Sequence, residues 1–368
     1  MKNIAFMVVD LSCAGGTQRV TATLAKELRK YYNIYVITLY GYNNFFEIDK
    51  NIRIYNLNNK FVRLRYSLVE NLFDLRKYIK NNNVEVLIVI GRNNTFLPLL
   101  LKFFCNIKII FCEHASRLEY TFFKETFKEK LYRKIFEYLI DICSDKIVFL
   151  TNRELNLYLQ NRKKNLNKLQ QIYNFIDDDL FDNINSYNIS SKKIITVGRV
   201  EYAKGIDKLI EVAKIVFNIH PDWQWHIYGD GKKDYINKVI KTLKDNRLKD
   251  NIILMGKSNN IYELYNNYSL FVMTSHHEGL PMVLLEAKAK KLPIVSFDIN
   301  SGPSDIIRDG IDGFLIKSFD CETMADKICE LIENPELRQK FSNNAHENID
   351  KFNKEKIIKQ WRDLIDSL

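Results

Sequence analysis

Short apolar runs alternate with longer amphipathic stretches, and this alternation occurs twice in the chain. In the first half the runs are IAFMVV (4–9), IYVITLY (34–40), IRIYNL (52–57), VEVLIVIG (84–91), IKIIFC (107–112) and DKIVFLT (145–151). Segments with helical spacing lie between them, for example TQRVTATLAKELRKY (17–31). Strands alternating with helices predict a parallel, doubly wound sheet. The pattern restarts with KKIITVGRV (192–200) and continues through WQWHIYGDG (223–231), NIILMG (251–256), LFVMTS (270–275), PIVSF (293–297) and GFLI (313–316). The expected fold class is therefore α/β, with two Rossmann-like doubly wound domains facing across a cleft. A chain of 368 residues is long enough for two such cores. The expected domains are 1–175 and 190–351, with the polar, turn-rich stretch 172–191 as linker.

Composition narrows the partners. Formal net charge is +10 and uneven: residues 1–190 hold 28 Lys+Arg against 19 Asp+Glu, and the remainder 27 against 26. A basic first half suits an anionic partner such as a lipid surface, a phosphorylated substrate or nucleic acid. No nucleic-acid motif is present, so nucleic acid is not expected. The six cysteines show no C-x-x-C or metal-ligand spacing, which fits a reduced, cytoplasmic protein. The opening apolar run is cut short by Asp10 and reads as a strand, not a signal peptide. LPLLLKFFCNIKIIFC (97–112) is broken by Lys102 and Lys108, so no membrane span is expected, although the protein could lie on a membrane.

Ligands of doubly wound sheets bind at the carboxyl ends of strands. Three loops there carry chemistry. CAGGTQRV (13–20) follows the first strand and opens a helix. Gly15 and Gly16 would let backbone approach a diphosphate at the positive end of that helix. The pair alone also fits an ordinary turn and lacks the G-x-G-x-x-G spacing. GRVEYAKG (198–205) places Arg199 and Lys204 beside Gly198 and Gly205. Either cation alone reads as solvated charge; both on one strand–helix loop read as a diphosphate site. In SHHEGLPMVLLEA (275–287), Pro281 is expected at the first helical position, with Gly279 and Leu280 offering amides just before it. Glu278 would cap that helix or meet a ligand. Glu286 lies among apolar neighbours in the second turn, too far along for the helix dipole to explain it. It needs a hydrogen-bonding partner, and a ribose diol would serve.

Taken together, GGTQR (15–19), GRVEYAKG (198–205), IYGDG (227–231) and the E-x7-E pair Glu278/Glu286 resemble the family 4 retaining glycosyltransferases of the GT-B fold, the type that builds bacterial lipopolysaccharide and capsule. The resemblance runs from the Gly-Gly loop to the C-terminal helix. It implies that Gly15 and Gly16 lie near the donor diphosphate and that Arg199 and Lys204 bind it. It implies that Glu278, with the amides of Gly279 and Leu280, meets the donor sugar. Glu286 would hold the nucleotide ribose, and Met255 and Lys257 would border the base. His114, in FCEHAS (111–116), would touch the donor sugar. Alone it fits a structural histidine equally well; its place directly after a strand favours the catalytic role. The last stretch, 352–368, would cross back onto the first domain with Trp361 as anchor.

Some features depart from that pattern. Gln18 stands where relatives often carry an acid. His276 and His277 precede Glu278 and read as ordinary loop histidines. Asp177–Asp178–Asp179 contains D-x-D, which in GT-A enzymes holds a metal; here it reads as solvated linker. No metal or cofactor is expected beyond a UDP-sugar as donor substrate. The expected acceptor is a saccharide or polyprenyl-linked saccharide. The basic, aromatic segments 60–80 and 121–140 fit either helices with a core face and solvated Lys/Arg or a surface that rests on anionic lipid; the positive charge of the first half favours membrane contact for the domain, which would place the enzyme peripherally on the inner face of the plasma membrane. A GT-B nucleotide-sugar 2-epimerase and a GDP-mannose-dependent mannosyltransferase remain open alternatives, and neither the donor sugar nor the linkage is legible.

Overall fold

The computed structural model describes residues 1–12, 15–40, 45–46, 48–57, 68–91, 96–114, 126–161, 166–181 and 187–368. The chain divides into two compact units, 1–175 with 355–368, and 176–354.

The first unit carries β1 (Asn3–Val8), α1 (Gly16–Leu28), β2 (Asn33–Thr38), β3 (Arg53–Asn56), α2 (Leu68–Asn81), β4 (Val86–Ile90) and α3 (Phe96–Leu101). It continues with β5 (Lys108–Glu113), α4 (Phe127–Cys143), β6 (Lys146–Phe149), α5 (Asn152–Asn161) and β7 (Leu169–Gln171). Its strands form one parallel sheet in the order β3-β2-β1-β4-β5-β6-β7. Five of five residues in β4 are buried, which is why the strand reads as an unbroken apolar run. α1 buries Val20, Leu24 and Leu28, one stripe at four-residue spacing.

The second unit carries β8 (Lys193–Val197), α6 (Ile206–Ile219), β9 (Gln224–Tyr228), α7 (Lys233–Asp245), β10 (Ile252–Gly256), α8 (Ile261–Leu264) and β11 (Leu270–Met273). It ends with α9 (Met282–Ala289), β12 (Ile294–Asp298), α10 (Pro303–Ile306), β13 (Gly313–Lys317), α11 (Cys321–Glu333) and α12 (Pro335–Asn344). Its parallel sheet runs β10-β9-β8-β11-β12-β13. Both units are thus Rossmann-like: successive strands first spread to one side, then jump back across the first strand. That jump places a switch point between β1 and β4 in one sheet and between β8 and β11 in the other.

Two boundaries differ from the sequence reading. The stretch 172–191 is not a free linker. From Ile176 onward it belongs to the second unit, where Ile176 donates its amide to Phe352 O and Tyr187 donates its hydroxyl to Ser269 O. Asp178 pairs with Lys354, and Tyr262 donates to Asp177 Oδ2 at 3.3 Å; Asp178 and Asp179 are exposed, so the D-x-D segment is solvated as expected but anchored to the second unit. The final helix α13 (Lys354–Asp366) then packs within the first unit. It buries Trp361, receives a hydrogen bond from Lys2 Nζ at Ile365 O (3.0 Å), and offers Asp366 to the Tyr32 hydroxyl (2.8 Å). β7, the polar LQQ, has no apolar run to announce it and escapes the sequence pattern.

Candidate active site

The loops after β8 and β11 flank the switch point of the second sheet, where doubly wound folds bind ligands. After β8 the chain forms a single tight turn, Tyr202–Lys204, closed by Gly205 in the left-handed conformation (φ 64°). Only glycine fits there. A Cβ on Gly205 would overlap the carbonyl oxygen of Thr274, at the end of β11. Thr274 Oγ1 in turn donates to Gly205 O at 3.0 Å, and the His276 amide donates to Ala203 O at 2.9 Å. The two loops are therefore laced together, by one backbone and one hydroxyl hydrogen bond, before any ligand arrives.

This lacing brings Lys204 to Glu278. Lys204 Nζ lies 2.6 Å from Glu278 Oε1, and Ser275 Oγ donates to the same oxygen at 2.8 Å. The pair is mostly screened from water: 24% of the Lys204 side chain and 12% of the Glu278 side chain remain exposed. Glu278 thus meets a cation and does not cap the helix that follows. The cap position belongs to Pro281, one residue before the first helical residue Met282, so the expected placement of Pro281 inside the helix is off by one. Leu280 is buried, and Gly279 O accepts from Ser301 Oγ at 3.0 Å.

Arg199 and Lys204 share the loop but not the environment. Arg199 reaches Glu201 (3.0 Å) with most of its side chain in solvent. Gly198 lies under the aliphatic part of Lys204, and a Cβ on Gly229, from IYGDG, would overlap Gly198 O. The second glycine motif therefore holds the first by close backbone contact. Beyond it, Met255 is exposed at the irregular end of β10, where Gly229 donates its amide to Gly256 O (2.8 Å), and Lys257 follows directly.

Glu286 is buried in α9, and Tyr265, itself fully buried, donates its hydroxyl to Glu286 Oε2 at 2.8 Å. A buried carboxylate needs such a donor. The sequence reading left its partner to a ribose; the protein supplies at least one.

Sequence reasoning missed a further layer. His276, read as an ordinary loop histidine, stacks on Tyr202 (centroids 4.4 Å, 19° between planes). Its Nε2 lies 2.9 Å from Asp207 Oδ1 in the first turn of α6. The Phe319 ring is tilted against the same imidazole, with centroids 5.3 Å apart. No sequence pattern links Tyr202 to His276; the pairing follows from β8 and β11 being neighbours.

In the first unit, Gly15 caps α1 and Gly16 begins it, with Arg19 donating its amide to Gly15 O (3.0 Å). Cys13 and Ala14 of the same motif lie outside the described residues, as do 60–67 and 121–125 of the two basic segments. His114 directly follows β5, at the same carboxyl edge of the sheet. Loss of hydration pushes its imidazole down to about 4, against the pull of the Glu113 carboxylate, so the ring is neutral at pH 7.

Two halves with parallel Rossmann-like sheets define a class that comparison with known proteins makes specific. The family model "Glycosyltransferase Family 4" matches residues 14–180, and "Glycosyl transferases group 1" matches 177–348. An uncharacterized glycosyltransferase of Haemophilus influenzae is 31% identical across 99% of this chain and 100% of its own length. The amylovoran biosynthesis glycosyltransferase AmsD of Erwinia amylovora is 28% identical, covering 99% of this chain and 100% of its own. Among solved structures, a Staphylococcus aureus TarM variant in complex with fondaparinux, alpha-GlcNAc-glycerol and UDP superposes with a TM-score of 0.81 at 21% identity, covering 99% of both chains. The protein belongs to the family 4 glycosyltransferases of the GT-B fold.

Proposed function

We propose that this glycosyltransferase moves a hexose or N-acetylhexosamine from a UDP-sugar to a saccharide or polyprenyl-linked saccharide, with retention of anomeric configuration and without a metal ion. The setting is assembly of a bacterial surface glycan at the cytoplasmic face of the plasma membrane, where the basic first half would meet anionic lipid. The observation that carries the reading is the Lys204–Glu278 pair at the switch point of the second sheet. An incoming diphosphate would take Lys204 Nζ from Glu278 and leave that carboxylate to accept from hydroxyls of the donor sugar. Charge then develops on the departing nucleotide as the glycosidic bond breaks. Lys204, joined by Arg199, would stabilise that charge in place. The donor phosphate itself would accept the proton of the attacking hydroxyl.

Glu286, oriented by Tyr265, would accept from the ribose hydroxyls, with Met255 and Lys257 beside the base. In the first unit, Gly15, Gly16 and the neutral imidazole of His114 are assigned as donor contacts. The name of AmsD supports a surface-glycan product, and the UDP in the TarM structure supports a uridine nucleotide. Proton NMR of the product formed from a UDP-hexose tests the reading. The anomeric configuration of the donor should be kept, UDP should be released, and EDTA should change nothing. An inverted product, or activity that needs added metal, would refute it.

A further inference from the structure

We propose that Ser301 is a positioning residue of the donor site: its hydroxyl holds the Gly279–Leu280 peptide so that the Leu280 amide donates to a hydroxyl of the bound donor sugar. This rests on the donor-site reading proposed above and adds to it a third loop at the carboxyl edge of the second sheet, the one after β12.

Ser301 stands just beyond the end of β12, the strand that flanks β11 on the side away from β8. It is 1% exposed, and its Oγ donates to Gly279 O at 3.0 Å. Peptide units are planar and trans, so a carbonyl and the amide of the next residue point in opposite directions. With Gly279 O turned to the β12 loop, the Leu280 N–H is turned away from it, to the side on which β8 brings Lys204 to Glu278. Pro281 has no N–H, so Leu280 carries the last amide before α9 starts at Met282. Leu280 is buried, and its amide has no acceptor among the described residues. A donor left open on a buried residue is uncommon unless a ligand or water completes it.

The turn before α9 is gripped at both ends. Ser275 Oγ holds the Glu278 carboxylate (2.8 Å), and Ser301 holds the carbonyl of the next residue. Gly302 tightens the second grip. It has φ 97°, and a Cβ there would come 2.5 Å from Gly279 O and 2.4 Å from Pro281 Cδ. The loop after β12 therefore lies directly against residues 279–281, and a flip of the 279–280 peptide would break the Ser301 bond. The chemistry of the two groups so held identifies their guest. A carboxylate can only accept and a backbone N–H can only donate, whereas a sugar hydroxyl does both. Glu278 and the Leu280 amide together match the hydroxyls of a sugar in a way that neither does alone.

The test is calorimetric titration of the intact chain with UDP and with UDP-glucose, UDP-galactose, UDP-N-acetylglucosamine and UDP-N-acetylgalactosamine, carrying forward the sugar nucleotide that binds most tightly. Ser301→Ala should weaken that sugar nucleotide about tenfold and UDP less than about twofold, because only the sugar loses an aimed donor. A merely structural serine would weaken both alike. Hydrogen exchange in the parent chain keeps the test independent of how the variant folds. The fragment that holds the Leu280 amide should exchange more slowly with the sugar nucleotide bound than with UDP bound. Equal weakening of both ligands by Ser301→Ala, weakening of neither, or no protection of that fragment beyond that given by UDP would overturn the proposal. So would a parent chain that binds UDP and none of the four sugar nucleotides. A parent chain that binds no UDP would instead refute the donor-site reading, and this proposal with it.

Discussion

Each sheet places a glycine turn after its first strand, and the two turns are built on different physics. In the second unit, Gly205 has φ 64° and sits so close to Thr274 O that no side chain fits. In the first unit, Gly15 has φ −138°, open to any residue, and an added Cβ would meet only the far end of the Gln18 side chain. One turn is obligatory glycine, locked to its neighbouring loop; the other is glycine by choice, left open at the edge of its sheet. The ionic anchors are shared out differently as well. The second unit pairs Lys204 with Glu278 at the carboxyl edge and buries Lys288 against Asp312 (2.7 Å) just before β13. In the first unit Asp145, just before β6, takes Lys102 Nζ (2.5 Å), the Ile109 amide (2.8 Å) and Lys108 Nζ (3.5 Å). Rigidity at a carboxyl edge is what a site needs when it must hold cations ready for developing charge.

Six variants press on that contrast. Lys204→Ala should have the largest effect, a loss of turnover of about a thousandfold with the fold retained, since it removes the cation held at the switch point. Steady-state kinetics check it, and near-parent turnover would end its assigned role. Gly205→Ala should cost about 3 kcal/mol or more in urea unfolding, from a strained φ and a backbone overlap together. Gly15→Ala should stay within about 1 kcal/mol, and equal costs for the two would erase the distinction. Tyr202→Ala and His276→Ala should each lower kcat about tenfold by loosening the loop that carries Lys204. Tyr202→Phe keeps the stacked ring and should behave like the parent. If Tyr202→Ala did so too, the stack would be packing alone.

The smallest effect concerns pH. Burial alone would raise the Asp145 carboxyl, but Lys102, the Ile109 amide and Lys108 outweigh it and hold it below the ordinary carboxylate range. A folded-state value below the unfolded one contributes stability above an unfolded pKa of about 4, and that stability is lost as pH falls through the folded value. Asp145→Asn should therefore show a shallower fall in melting temperature between pH 5 and pH 3 than the parent chain.

Much of this was legible beforehand. Strands buried on both faces in parallel sheets must be apolar throughout, so IAFMVV and VEVLIVIG announced β1 and β4 without help from context. Lys204 and Glu278 were legible as loop residues with unusual chemistry, but not as a pair. They stand 74 residues apart and meet because β8 and β11 are neighbours across a strand-order reversal. The stack of His276 on Tyr202 was hidden for the same reason. A histidine in a polar loop carries no mark of its partner, and only the fold brings the aromatic ring beneath it. The Tyr265–Glu286 contact was half legible: a carboxylate among leucines demanded a donor, but sequence could not say which donor came first.

The central claim is that Lys204 and its laced loops form a nucleoside diphosphate site. Calorimetric titration of the intact chain with UDP, GDP and ADP, each with and without EDTA, tests it most directly when repeated on Lys204→Ala. The expected result is binding of UDP over the other two, indifferent to EDTA and weakened at least tenfold by the substitution. Absence of binding by any nucleotide, equal binding by Lys204→Ala, or binding that disappears with EDTA would contradict it.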